Sequence, residues 1–78
     1  MWVYIVECSD GTYYTGIAKD VLLRIEKHNS GKGAKYTKSR APVKLLWKKE
    51  CADKSTALKL EAKIKKLSRK DKERFIND

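Results

Sequence analysis

Two tyrosines, an arginine, a histidine and a glutamate recur in order along this chain. Together they are groups that cleavage of a phosphodiester could use. Tyr4 lies in an apolar, strand-like run, and Tyr14, Thr15 and Gly16 follow a turn. Arg24 and His28 are four apart, so on a helix they are neighbours. Phosphodiester hydrolysis needs an attacking water, charge stabilisation at phosphorus and help for the leaving oxygen, and a metal ion supplies several of these at once. Glu61 is the candidate metal ligand, because Mg²⁺ keeps most of its waters and often takes only one or two protein carboxylates. Arg24 can fork onto phosphate oxygens. His28, the sole histidine, can orient or deprotonate water near neutral pH. The phenols of Tyr4 and Tyr14 can hydrogen-bond that water. Each residue also has a plainer reading: an ion pair between Glu61 and Lys65, a solvated Arg24, a structural His28, and tyrosines packed in strands.

These side chains need elements to carry them. Residues 2–8 are β-branched and aromatic on both alternating sets, which predicts a strand covered on both faces. Ser9-Asp10-Gly11 supplies a turn, and residues 12–16 form the return strand. Asp20 reads as a helix N-cap, followed by an apolar stripe of Val21, Leu22 and Ile25 with Arg24 and His28 on its edge. Residues 43–50 predict a third strand with Val43, Leu45 and Trp47 on one face. Asp53 opens a second helix with a stripe of Ala57, Leu60, Ile64 and Leu67, bordered by Glu61. Ser68 with Asp71 starts a short last helix, ending near Ile76. The expected fold is α/β: a small three-stranded antiparallel sheet flanked by helices, in the order β-β-α-β-α-α, forming one domain over residues 1–78.

Charge indicates the partner. Nineteen Lys and Arg stand against ten Asp and Glu, a net charge of +9. Such a field attracts polyanions, of which nucleic acid is the commonest inside cells. The loop from Gly31 to Pro42 is basic and glycine-containing. It offers Lys32, Lys35, Lys38 and Arg40 as phosphate contacts and Tyr36 as a stacking surface. It lacks the Lys-Ser/Thr ending of a P-loop. Cys8 and Cys51 form neither a zinc site nor a disulfide framework and read as reduced, partly buried thiols, which with the absence of a leader or membrane span fits a cytoplasmic protein. No Ser-His-Asp or Cys-His nucleophile pattern is legible.

As an ordered set, the motifs resemble the GIY-YIG nuclease family over about residues 2–76. Trp2-Val3-Tyr4 stands at the first family motif and Tyr14-Thr15-Gly16 at the second. Ile17-Ala18-Lys19-Asp20 and Arg24 follow the pattern downstream. His28 falls where the family carries histidine or tyrosine, and Glu61 where it carries its metal-binding glutamate. The run from Asn29 to Thr37 is most similar to the small stand-alone bacterial (YhbQ-like) members. Trp2 replaces the family's first glycine, Thr15 the middle isoleucine or valine, and Ile17 a lysine that some members carry. No second DNA-binding domain is expected. The resemblance implies an endonuclease dependent on Mg²⁺ or Mn²⁺, acting on DNA with low sequence specificity in repair or recombination. Tyr4, Tyr14, Arg24 and His28 would be catalytic, Glu61 would hold the metal, and all five would line one concave surface. Two rivals stand beside this reading: a nucleic-acid-binding module without cleavage, which fits the charge equally well, and an interaction module that borrows the fold and recruits another nuclease.

Overall fold

The computed structural model describes residues 1–32 and 38–77. Its sheet has the order β2-β1-β3, antiparallel throughout, with β1 (Trp2–Glu7) in the centre between β2 (Tyr13–Ala18) and β3 (Lys44–Glu50). Among the described residues three helices follow: α1 (Val21–Asn29), α2 (Lys54–Lys65) and α3 (Arg69–Asn77). This is the β-β-α-β-α-α order expected from the sequence.

The two apolar sets of β1 divide the core. Val3, Ile5 and the α2 residues Ala57 and Ile64 pack on one face, with Phe75 and Ile76 of α3 against them. Tyr4, Val6, Val21 and Val43 pack on the other, with Ile25 of α1. Val3, Tyr4, Ile5 and Val6 are all fully buried, as a central strand between two helical layers requires. A chain this short hides only about 60% of its unfolded surface, so these few residues carry most of the core. Cys8 and Cys51 are free, buried and on opposite faces of the sheet, which keeps the thiols apart.

Local chemistry fixes the element ends. Asp20 caps α1 by accepting from Leu23 N at 3.1 Å, and Asp53 caps α2 by accepting from Thr56 N at 2.7 Å. Ser68 Oγ accepts from Asp71 N at 3.2 Å at the start of α3. The β1–β2 turn closes through Gly11 N to the Cys8 carbonyl at 2.9 Å, with Gly11 at φ 83°, a backbone region open to glycine. The Ala41–Pro42 peptide is cis.

Four expectations are corrected. β2 runs two residues further than residue 16, because Ile17 and Ala18 pair with Val3 and Trp2. Val43, Leu45 and Trp47 do not share a face: a bulge lets Trp47 pair with Ile5 but Leu45 with Val6, so one extra residue flips Trp47 to the α2 side. Leu67 lies beyond α2, in the turn where its N–H reaches Ile64 O. On α1 the buried side chains are Val21 and His28, with Ile25 packed beside them, while Leu22 is 68% exposed.

Candidate active site

The central strand delivers Tyr4 and the edge strand removes what would block it. Tyr4 faces α1 and pairs across the sheet with Gly16. A methyl group on Gly16 would lie 2.6 Å from Tyr4 Oη and 3.1 Å from the Tyr14 ring. Only a glycine admits the phenol this close to the β2 backbone. Tyr14, two residues earlier on β2, points to the same face. Its ring centroid lies 6.4 Å from that of Tyr4 and 5.5 Å, edge-on, from that of His28.

From α1, His28 reaches inward and its Nε2 lies 2.8 Å from Tyr4 Oη. His28 is fully buried, and burial followed by the positive Arg24 holds its pKa below the ordinary 6.5. It is therefore a neutral imidazole at physiological pH. Burial likewise pushes the Tyr4 phenol above its ordinary 10.0, with the charges of Tyr14 and Glu61 adding to the rise. Hydrogen bonding and charge from Arg24 oppose it. The 2.8 Å contact suits either tautomer of the neutral ring, with the phenol donating to Nε2 or Nε2–H donating to the phenol oxygen.

Arg24 stands one helical turn before His28 and lines a cleft of about 220 Å³ with Ile17, Lys19, Leu23 and Lys27 among its neighbours. Its Nε is buried without a hydrogen-bond partner among the described residues. A donor left in that state is costly unless an anion completes it, which suits a phosphate at this point. Glu61 comes from α2 on the other face of the sheet. Its charge adds the smallest of the contributions that raise the Tyr4 pKa, and its side chain is 18% exposed with its carboxylate 3.5 Å from Lys65 Nζ.

The expectation that Tyr4, Tyr14, Arg24, His28 and Glu61 line one concave surface is not met, because Glu61 belongs to the helical layer on the face of the sheet opposite Arg24. Tyr4 and His28 are both fully buried, so they lie behind Tyr14 and Arg24, which are only partly covered. Physically, a side chain on the middle strand of a three-stranded sheet under a helix cannot reach solvent. Of the expected phosphate contacts, Lys32 and Lys38 are exposed. Arg40 donates from Nε to Asp10 Oδ2 at 2.9 Å and so ties the basic segment to the β1–β2 turn. Lys35 and Tyr36 lie outside the described residues.

Some contributors were missed in the sequence reading. Lys19 and Lys27 line the Arg24 cleft; Lys27, three residues after Arg24, carried a helical-spacing signal. Asn29 clamps the start of β3, accepting from Val43 N at 2.6 Å and donating to Val43 O at 3.4 Å. Arg69 sits 4.4 Å over the Tyr13 ring and donates to Gly11 O, anchoring α3 on the hairpin next to Tyr14. No periodicity marks either contact.

A central tyrosine over a glycine gap, backed by a helix arginine and histidine, with a carboxylate from the opposite layer, defines a recognisable site. The sequence matches the GIY-YIG catalytic domain over residues 1–74. The chain belongs to the GIY-YIG family, a family of nuclease domains. It is 56% identical over 77 residues to UPF0213 proteins of Staphylococcus aureus strains Mu3 and Mu50, covering 99% of this chain and 94% of each relative. Among solved structures, the UPF0213 protein BH0048 of Bacillus halodurans is 47% identical with a TM-score of 0.63. The protein EF2693 of E. faecalis is 38% identical with a TM-score of 0.66. Each comparison covers 97% of this chain and 81% of the other.

Proposed function

We propose that this protein is a small endonuclease that hydrolyses phosphodiester bonds in DNA with a divalent metal ion, Mg²⁺ or Mn²⁺, and with low sequence specificity. The carrying observation is the convergence of Tyr14, Arg24 and the Tyr4–His28 pair at the β2 edge, within electrostatic reach of Glu61. The donor set suits a hard cation. Glu61 is a partly buried carboxylate paired with Lys65, and Mg²⁺ often takes only one or two protein carboxylates; no group of three His, Cys, Asp or Glu that could hold a metal ion occurs among the described residues. Glu61 would hold the ion, which when bound supplies charge neutralisation at phosphate and a more acidic water.

The remaining roles belong to the chain's own groups. Arg24 directs its unpartnered Nε–H and its charge at the phosphate, stabilising negative charge as it builds. Tyr14, more accessible than Tyr4, hydrogen-bonds the water that attacks. Tyr4 stays a neutral phenol because burial raises its pKa. Its hydroxyl lies 2.8 Å from His28 Nε2 and so fixes that ring. His28 takes part through Tyr4 rather than by touching substrate. Lys32 and Lys38 hold the backbone of the nucleic acid, and a role in repair or recombination fits such an activity.

One observation favours the rival reading of a binding module without cleavage: Glu61 already has a partner in Lys65. Nicking of supercoiled DNA decides. The purified protein should convert supercoiled to open circles with Mg²⁺ or Mn²⁺, and EDTA should stop it. DNA binding without nicking in either metal would establish the rival.

A further inference from the structure

The cleft beside Arg24 does not end there. A second depression of about 210 Å³, lined by Trp2, Leu22 and Lys48 among others, shares Lys19 and Asp20 with the first. The two form one shallow groove running from Arg24 over the start of α1 to the far end of β1. Its charge is lopsided. Lys19, Lys27 and Lys48 line it together with Arg24, against the single carboxylate of Asp20, which is occupied in capping α1. It is also lined by the two most exposed large apolar side chains among the described residues, Leu22 at 68% and Leu23 at 51%. Lys48 Nζ stands 4.8 Å over the Trp2 ring at the far end.

We infer that this groove binds an unpaired nucleic-acid strand leading into the Arg24 site. The cations call for a polyanion, and another copy of a +9 chain would bring like charge against them. The apolar residues select among polyanions. A closed duplex turns phosphates and sugars outward and keeps its base faces stacked inside. Leu22 and Leu23 would then meet only polar backbone. An unpaired strand offers flat, weakly solvated base faces beside its phosphates, and a basic groove with apolar contacts suits that combination. The inference rests on the nuclease reading only for where the strand ends; the binding is independent of cleavage.

The test is equilibrium binding in EDTA, with no cleavage. The probes are a short single-stranded oligonucleotide, as DNA and as RNA, and a hairpin-capped duplex that exposes no terminal base pair. The wild type should bind one or both single strands more tightly than the capped duplex. Leu22→Gln with Leu23→Gln should weaken single-strand binding at least about fivefold, the scale of losing one base contact. Duplex binding should move by less than about twofold, as for an ordinary surface change. Leu22→Gln alone, at the more exposed position, serves if the double variant melts early. Equal or tighter duplex binding by the wild type overturns the inference, as does equal weakening of both forms. Loss of a dimer in the variant with single-strand affinity unchanged would also overturn it, assigning the patch to a second copy. Failure of nicking with this binding intact would remove the nuclease reading and leave the groove.

Discussion

At the residue scale, two buried polar groups carry opposite lessons. His28 is satisfied by Tyr4 and kept neutral by burial and Arg24. Its folded pKa lies below the unfolded value of about 6.5, so between the two the unfolded chain binds more protons. Stability is then complete above about pH 6.5 and is lost as pH falls through the lowered folded value. Tyr4, Tyr14 and Arg24 are the groups that face the ring among the described residues. Asp10 and Asp53, whose pKa values are also lowered from 3.8, contribute loss only at more acid pH. Melting temperature against pH should therefore fall below about 6.5 for the wild type, and this limb should flatten in His28→Gln. An identical limb in both would refute the assignment. Thr15 is the contrary case. It is 3% exposed, and its Oγ1 has no hydrogen-bond partner among the described residues. Thr15→Val keeps shape and strand preference while removing an unmet hydroxyl. We expect it to stabilise the protein by about 1 kcal/mol in urea titration; a loss of stability would mean that the hydroxyl is satisfied.

At the scale of elements, β2 governs the site. It presents Tyr14, leaves the gap at Gly16, and lies under both helical layers, so groups from opposite faces of the sheet act on one phenol. Gly16→Ala puts a methyl group 2.6 Å from Tyr4 Oη. The phenol must then move and lose His28. Overpacking of this kind costs about 1–3 kcal/mol, and nicking should fall further than stability does, because the Tyr4–His28 pair behind Tyr14 and Arg24 is broken. Thermal melts alongside nicking rates check this, and an unchanged rate would show that the close approach is dispensable. The same strand marks where sequence reasoning stopped. Asp-Gly, the caps at Asp20, Asp53 and Ser68, and the doubly apolar β1 are local signals, and all appear in the fold. The bulge in β3 is set by pairing with β1 and has no local signature, so Trp47 was assigned to the wrong face. Helical spacing put His28 at the rim of its stripe. Its burial depends on Tyr4, a partner 24 positions away.

Across the whole molecule, binding and chemistry separate. The positive charge recurs from Lys19 to the last helix and is absent from β1 and β2, while the candidate chemistry is drawn from β1, β2, α1 and α2. Motif order made the tyrosines, Arg24 and Glu61 legible as a group. The layering of Tyr4 and His28 behind Tyr14 and Arg24 came only from tertiary packing. A single carboxylate can then be removed without touching the basic surface. Losing the Glu61–Lys65 pair should change stability by only about 0–1 kcal/mol, since Lys65 is exposed. The most direct measurement is nicking of supercoiled DNA by Glu61→Gln in Mg²⁺ and in Mn²⁺, with DNA affinity and melting temperature recorded on the same preparation. The account predicts cleavage reduced by at least about 10²-fold, the scale of removing one positioned charge, with affinity equal to or slightly above wild type and melting nearly unchanged. Wild-type nicking that persists at full rate in Glu61→Gln would contradict it.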